Sequence, residues 1–143
     1  MKIVSACLVG INCRYDGKNE LRKELIKVFK RGELLPLCPE QLGGLPTPRI
    51  PSTIIDGDGY DVLDGRKRII NQRSEDVTEN FIRGAEEVFR IVKILNVKEA
   101  ILESRSPSCG CGRIYDETSG ELIRGDGVLT ALLKRNGIEI IPK

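Results

Sequence analysis

The sequence predicts a single α/β domain, residues 1–143, with a mostly parallel open sheet flanked by helices in a Rossmann-like arrangement. Three observations predict it. The 143 residues are enough for one domain with a substantial core. Hydrophobic residues make up 40% and charged residues 31%, as is typical of globular proteins. Short β-branched runs alternate with segments of helical periodicity, and this alternation favours parallel strands joined by right-handed crossovers.

The first elements follow from apolar patterning. The run KIVSACLVG, residues 2–10, predicts a buried first strand that ends near Cys7. In ELRKELIKVFKRG, residues 20–32, apolar side chains recur on one helical face before a terminal glycine. The segment ELLPLCPE, residues 33–40, predicts a short second strand. It leads into residues 38–52, which hold four of the seven prolines and are expected to contain no regular element.

The later elements follow the same logic. Residues 60–72 predict a small hairpin around the turn signal Asp64–Gly65. The clearest helix covers residues 74–96, with Ser74 as its expected N-cap and apolar residues every three or four positions. A third strand is expected at residues 98–104, a last helix at 127–137 and a final strand at 138–142. Residues 112–127 are expected to form either a polar hairpin or an irregular excursion.

Composition and charge exclude several classes of protein. The net charge of +2 is too small to indicate binding of macromolecular nucleic acid. No apolar run reaches the roughly 20 residues of a membrane helix, and the short apolar N-terminus does not predict a signal peptide. Five cysteines, an odd number, favour a reducing cytoplasmic setting over a disulfide scaffold. In that setting cysteines are buried small side chains, metal ligands or nucleophiles.

The predicted topology brings distant cysteines to one edge of the sheet. Cys7 lies near the end of the first strand, Cys38 follows the second and Cys109 follows the third. Because ligands of open parallel sheets bind outside the carboxyl ends of the strands, we expect these three thiols to converge. Three thiolates could bind zinc or an iron–sulfur cluster. The chain has no histidine, so Cys13 or Cys111 would supply any fourth ligand and close the site.

Polar residues in the same loops are candidates for catalysis or binding. Glu40 follows Cys38 by two residues, and a carboxylate beside a metal site is a natural general acid or base. Serine hydroxyls before Cys109, including Ser104, can donate hydrogen bonds, although turn and cap chemistry is an alternative role for them. An anion such as phosphate could be held by arginine or by free N–H groups where the last helix begins. The candidates for substrate binding are Arg14, Asp16, Arg49, Ser106, Ser108, Gly125 and Gly127, and for Asp16 a turn is favoured.

Four separated motifs carry a family resemblance. In order, SACLVGINCRYDG, CPEQLGGLPTPR, SRSPSCGCG and GDGVLTALLKRNGI resemble the family known as DUF523, which includes thiouracil desulfidases of the TudS type. The resemblance spans nearly the whole chain. It implies an oxygen-sensitive [4Fe-4S] cluster held by only Cys7, Cys38 and Cys109, so that one iron stays open. Cys13 and Cys111 would lie nearby without being required.

The resemblance also implies a reaction. A thiolated pyrimidine, either thiouracil or 4-thiouridine monophosphate, would bind the open iron through its sulfur; iron as a soft Lewis acid matches sulfur. Water would attack the carbon and sulfur would leave as hydrosulfide, in a hydrolytic, non-redox reaction. Glu40 is the expected acid/base, and Ser104 is expected to position the substrate or relay a proton. Two alternatives are a non-catalytic cysteine-rich zinc or iron–sulfur protein, and a nucleotide-binding α/β module whose thiols are structural.

Overall fold

The computed structural model describes residues 1–116 and 119–143. Strand β1 is followed directly by a 3₁₀ turn at Ala6–Val9. The strands and helices of the described residues are, in chain order, β1 Lys2–Ser5, α1 Lys23–Lys30, β2 Leu34–Leu37, α2 Pro39–Leu42, β3 Ser52–Ile54, α3 Gly59–Leu63, β4 Ile69–Asn71, α4 Thr78–Leu95, β5 Glu99–Leu102, β6 Arg113–Asp116, β7 Glu121–Arg124, α5 Val128–Arg135 and β8 Glu139–Pro142.

A four-stranded sheet with the order β2-β1-β5-β8 forms the centre of the fold. All three pairings in it are parallel. Strands β3 and β4 form a separate antiparallel pair, and so do β6 and β7. The predicted α/β fold, with a mostly parallel sheet flanked by helices, is confirmed.

The two faces of this sheet carry different apolar clusters because neighbouring side chains on a strand point to opposite faces. Ile3 of β1 and Leu102 of β5 are buried in the cluster that includes the apolar residues of α4 and α5. Val4 and Ile101, the next residues along, belong to the second cluster, together with Leu25 of α1. The sheet is therefore covered by helices on both faces, as parallel sheets require.

The strand order reverses between β1 and β5. The chain leaves β1, passes through α1 and returns on one side as β2, whereas β5 is followed by α5 and then β8 on the other side. The loops that follow β1 and β5 therefore diverge and leave a crevice at the carboxyl edge of the sheet, which is the usual ligand position in open α/β folds. The 3₁₀ turn, α2 and the loop after β5 all begin at this edge.

Several predicted elements differ from the observed ones. The hairpin around Asp64–Gly65 is wrong: Asp58 and Asp61 form a capping box that starts α3 there. Strand β4 then pairs with β3 instead. The proline-rich loop does contain a regular element, α2, because Pro39 occupies its first turn, where no backbone N–H is needed.

Two element boundaries also move. Strand β1 ends at Ser5, and Cys7 lies in the 3₁₀ turn. Ser74 is not the N-cap of α4, because the chain is still paired with β4 beyond it: Ile70 and Asp76 form an antiparallel bridge. Asp76 then accepts the N–H of Thr78, the first residue of α4, at 2.9 Å. The predicted hairpin at residues 112–127 is present as β6 and β7, and its residues 117 and 118 lie outside the described residues. Within the described ranges, no helix has the length and apolar character needed to cross a membrane.

Helices α2 and α4 pack backbone against backbone at two glycines. A Cβ on Gly43 would overlap the carbonyl of Asn80, and one on Gly84 would overlap the carbonyl of Pro39. Asn80 also donates its side-chain amide to the Gly43 carbonyl at 2.9 Å. Since α2 begins at the residue after Cys38, this contact sets the position of that segment relative to the core.

We predict that Gly84→Ala lowers the free energy of unfolding by about 1–3 kcal/mol, because the added methyl separates two backbones that cannot yield as a side chain would. An exposed helical Gly→Ala change would instead stabilise by about 0.5–1 kcal/mol. Urea denaturation followed by circular dichroism measures the difference. Glu86→Ala, at an exposed position on the same helix, is the control and should change stability little. A Gly84→Ala protein as stable as the wild type would contradict the close packing.

Candidate functional site

A cavity of about 210 Å³ opens at the carboxyl edge of the parallel sheet. Its wall is built from the segments that follow β1, β2 and β5. Four of the five cysteines lie in this wall: Cys7, Cys13, Cys38 and Cys109. The structure thus brings together thiols that are far apart in the sequence, at the edge of the sheet that the strand order leaves open.

Three of these thiols interact with one another. The Cys13 thiol lies within hydrogen-bonding reach of both the Cys38 and the Cys7 thiols. Contact with Cys38 lowers the pKa of Cys13, but contact with Cys7 and burial outweigh it and raise that pKa to about 11. Contact with Cys13, together with burial, raises the pKa of the Cys38 thiol as well. Cys13 therefore lies between the thiols of Cys7 and Cys38 in the wall.

The Cys109 thiol approaches from the other side of the crevice and is held by hydroxyl groups. Ser5 Oγ donates to Cys109 Sγ at 3.4 Å and accepts the backbone N–H of Glu103 at 2.9 Å. Ser106 Oγ accepts the Cys109 N–H at 2.8 Å. Burial raises the pKa of this thiol, whereas the hydrogen bond from Ser5 lowers it. Ser5 therefore joins the ends of β1 and β5 at the thiol.

The start of α5 fixes the backbone of the Cys109 loop. Thr130 Oγ1 donates to the Cys109 carbonyl at 2.9 Å. A Cβ on Gly127 would lie 2.5 Å from the Ser108 carbonyl, so a glycine is needed for this approach. The first N–H groups of the helix donate to successive parts of the loop: Gly127 to Gly110 at 2.8 Å, Val128 to Pro107 at 2.8 Å and Leu129 to Ser108 at 2.9 Å.

These contacts leave the expected anion site at Gly125 and Gly127 without free donors. The Gly125 N–H is also used, by the Gly112 carbonyl at 3.0 Å. Neither glycine lines the cavity. The glycines before α5 therefore serve the close packing of two backbones, and the N–H groups of both glycines already have carbonyl acceptors within the protein.

Glu40 is anchored in the cavity wall by Arg49 and Ser108. Arg49 Nε lies 3.1 Å from Glu40 Oε1, and the two side chains are 6% and 16% exposed. Ser108 Oγ donates to Glu40 Oε2 at 2.9 Å. Arg49 also donates to the Cys13 carbonyl at 2.9 Å, and to the Pro46 carbonyl and the Thr47 hydroxyl. Arg49, a candidate phosphate ligand from the sequence, thus donates to Glu40, to the Thr47 hydroxyl and to the surrounding backbone.

The remaining predicted residues lie at different distances from this centre. Ser104 lines the cavity but donates to the Lys143 carbonyl at 3.1 Å. Ser106 lines it too, with its hydroxyl 3.2 Å from that of Ser108. Arg14 lines the rim and is paired with Glu20 at 2.9 Å.

Two predicted residues lie outside the cavity wall. Asp16 accepts the N–H of Lys18 at 3.0 Å, which is the turn role favoured for it. Cys111 is half-buried and does not line the cavity. It lies instead beside Lys134, whose ammonium group is bonded to Asp126 at 3.0 Å.

Sequence reasoning missed several residues of the wall, Ser5 and Glu103 among them. Each ends or directly follows a strand at the carboxyl edge, and this position is the signal that could have identified them. Burial raises the pKa of Glu103 to about 7, against the charge of Arg14 and a hydrogen bond from Ser106, which lower it.

Cys13 lies within reach of Cys7 and Cys38, and Cys109 is held by Ser5. Among the residues that the structure describes, no three cysteine or acidic side chains lie close enough together to hold a single metal ion. A zinc ion would need all of its sulfur ligands at about 2.3 Å. A multi-iron cluster is larger and takes its thiolates at separate corners. A set of cysteine thiols without a single-ion site among the described residues therefore fits a cluster better than an ion.

Comparison with known proteins identifies the family of this chain. The chain is 44% identical to a Bacillus subtilis (strain 168) protein, the uncharacterized protein YbbK. The alignment spans 142 residues, which is 99% of this chain and 94% of that protein. A solved structure of the [4Fe-4S]-dependent thiouracil desulfidase TudS superposes with a TM-score of 0.87 at 38% identity, over 99% of this chain and 89% of the other. The family model for 2-thiouracil desulfurase matches residues 3–143. The chain therefore belongs to the 2-thiouracil desulfurase family.

Proposed function

We propose that this protein is a desulfidase that removes sulfur from a thiolated pyrimidine, with a [4Fe-4S] cluster bound by Cys7, Cys38 and Cys109. The observation that carries the proposal is that one cavity wall holds these three thiols together with Glu40. Membership of the family and the likeness to TudS support both the reaction class and the cofactor.

The residues present suit such a cofactor. Cysteine thiolates are the ordinary ligands of iron–sulfur clusters, and three of them leave one iron of a four-iron cluster without a protein ligand. The bound cluster would supply a soft Lewis acid that polarises a carbon–sulfur double bond. The Ser5 hydroxyl can donate to the sulfur of Cys109, and such contacts tune iron–sulfur sites.

Glu40 is proposed to accept a proton from the attacking water. The ion pair with Arg49 and the hydrogen bond from Ser108 hold both of its oxygens in place. A base fixed in this way needs no rearrangement when the substrate arrives. The hydroxyl in contact with Glu40 is that of Ser108, and we place Ser104 at the cavity wall as a residue that positions the substrate.

The proposed chemistry is hydrolytic. Water supplies the oxygen, sulfur leaves with the electron pair of its bond to carbon, and no external electron donor or acceptor is needed. The substrate is a small molecule, thiouracil or 4-thiouridine monophosphate, that enters through the opening of the cavity. Arg14, which is paired with Glu20, and the exposed Arg105 both line the cavity.

A second candidate function is a closed, structural metal centre. The observation that favours it is the position of Cys13, whose thiol is within reach of Cys7 and Cys38. If Cys13 were a fourth ligand, no iron would stay open and the open-iron chemistry could not occur. Substitution of single cysteines separates this candidate from the desulfidase.

We expect the anaerobically purified and cluster-reconstituted protein to release sulfide from a thiolated pyrimidine. The measurement is sulfide release from 2-thiouracil, 4-thiouridine and 4-thiouridine monophosphate, with the ultraviolet band of the thiocarbonyl as a second readout. Protein exposed to air, which loses an open cluster, is the control and should be inactive. A cluster-loaded protein that releases sulfide from none of the three compounds would contradict the proposal.

We expect Cys7→Ser, Cys38→Ser and Cys109→Ser each to abolish cluster binding, because each removes one of the three proposed ligands. Cys111→Ser is the matched control and should keep both iron and activity, since Cys111 does not line the cavity. Iron and sulfide content after reconstitution measures the outcome. Cys13→Ser decides between the two candidates: retention of the cluster supports the open site, and its loss supports the closed one.

We expect Glu40→Gln to lower kcat by about 10²–10⁴-fold, the usual contribution of a positioned acid or base, with the cluster retained. Glu33→Gln makes the same change at the exposed opposite end of β2 and should leave kcat as it is. Both iron content and the steady-state rate are measured for each variant. Full activity in Glu40→Gln would show that another group activates the water.

A further inference from the structure

Glu103 is a half-buried carboxyl group in the cavity wall that the proposed mechanism has not used. It follows β5 directly, at the point where the strand order reverses. Its backbone N–H donates to Ser5 Oγ, which in turn donates to Cys109 Sγ. The backbone of Glu103 is thus fixed relative to a thiol that we propose as a cluster ligand.

The carboxyl group of Glu103 forms no ion pair within the described part of the chain. Arg14 is the cation whose charge acts on it, but the Arg14 guanidinium is bonded to Glu20 at 2.9 Å. The other groups that face Glu103 are the Ser106 hydroxyl, the Glu20 and Glu40 carboxyls and the Cys109 thiol. Its surroundings therefore favour the neutral acid over the carboxylate.

Glu40 stands in the opposite situation in the same cavity. It has an arginine on one oxygen and a serine hydroxyl donor on the other. Enzymes divide acid and base roles between two carboxyl groups of one site by giving them different surroundings, one favouring the charged form and the other the neutral form. The geometry therefore separates a proton acceptor anchored by an arginine from a carboxyl group that has no salt bridge among the described residues.

We propose that Glu103 is the proton donor of the desulfuration and delivers the proton that the departing sulfur carries away as hydrosulfide; this inference rests on the function proposed above. Thiocarbonyl sulfur has no proton of its own, so hydrosulfide can form only if an acid supplies one. Glu103 is a carboxyl in the wall that no salt bridge holds in the charged form, so far as the described residues show.

The step balances as follows in atoms and charge. The oxygen of water bonds to the thiocarbonyl carbon while Glu40 takes one proton, and the π electrons of the carbon–sulfur bond move to sulfur. Glu103 gives its proton to that sulfur. The carbon–sulfur bond then breaks with its pair on sulfur, the hydroxyl oxygen forms the new carbonyl, and the hydroxyl proton returns to Glu103. Glu40 releases its proton to solvent, so that water and thiocarbonyl become carbonyl, hydrosulfide and one proton.

The titration of Glu103 is consistent with this role. Burial raises its pKa to about 7, and the charges of Glu20 and Glu40 act in the same direction. A carboxyl with that pKa is protonated in an appreciable fraction of molecules at neutral pH. An acid works best when its pKa lies near the working pH, because it then holds its proton and can still release it.

The test compares Glu103→Gln with Glu99→Gln in the cluster-loaded protein. Glu99 starts the same strand, pairs with Lys2 at 2.8 Å and does not line the cavity, so its change is a matched control. The wild-type kcat should fall as pH rises through about 7, because the donor loses its proton. Glu103→Gln should lower kcat by about 10²–10⁴-fold and abolish this alkaline decline. Glu99→Gln should keep both the rate and the decline.

A second measurement is independent of activity. Carbon-13 NMR of the glutamate carboxyls in the full-length protein should show one resonance with a midpoint near 7 that disappears in Glu103→Gln. A Glu103 resonance that titrates near the ordinary value of about 4.3 would overturn the inference whatever the enzyme does. So would a Glu103→Gln enzyme with unchanged rate and pH profile. Wild-type protein that releases no sulfide overturns the proposed function itself, a result distinct from either of these.

Discussion

The first turn of α5 donates its backbone hydrogen bonds to the loop that carries Cys109, and the position of that thiol depends on this contact. The first N–H groups of a helix lack partners within the helix, and each must find an acceptor elsewhere. Here three of them donate hydrogen bonds to the carbonyls of Pro107, Ser108 and Gly110, and the Thr130 hydroxyl donates one to the carbonyl of Cys109. A loop rich in serine and glycine would otherwise have many conformations of similar energy. Helix α5 is itself packed against α3 and α4 in the core. Its first turn therefore holds the loop in a fixed position relative to the core.

The opposite wall is held by a different interaction, the buried pair of Glu40 and Arg49. Arg49 reaches three further acceptors, among them the Cys13 carbonyl, so one guanidinium ties the start of α2 to the loop after β1. Breaking a buried pair of this kind by removing one partner costs about 3–5 kcal/mol, because a desolvated charge is left behind. The close packing of Gly43 and Gly84 fixes the same helix from its other side. The carboxylate and the thiols on this wall are therefore placed by the Glu40–Arg49 ion pair and by backbone packing.

The fold class and the sheet edge at which the cysteines lie could both be predicted from the sequence. Both follow from the strand order, which the alternation of strand and helix patterns indicates. It could not show the partners of individual side chains. Arg49 looks like any arginine in a loop until the fold places Glu40 beside it. Gly127 reads as part of an anion-binding turn until the Ser108 carbonyl occupies the space next to it. Ser5 and Glu103 carry no motif of their own, and their importance arises from a pairing between β1 and β5 across most of the chain. Local sequence patterns contain no information about contacts between residues so far apart in the chain.

The pairing of β1 with β5 also determines when the site can exist. Ile3 lies beside Ala100, and Ser5 reaches Cys109, so the crevice has no second wall until the ribosome has released the segment that follows β5. Contacts between residues so far apart form late, because closing the intervening chain costs entropy before any contact repays it. During synthesis Cys7 and Cys38 are therefore solvent-accessible thiols on an unfinished sheet, open to oxidation and to stray metal. Delivery of an iron–sulfur group must wait for a completed fold, and the cell has to keep these cysteines reduced until then.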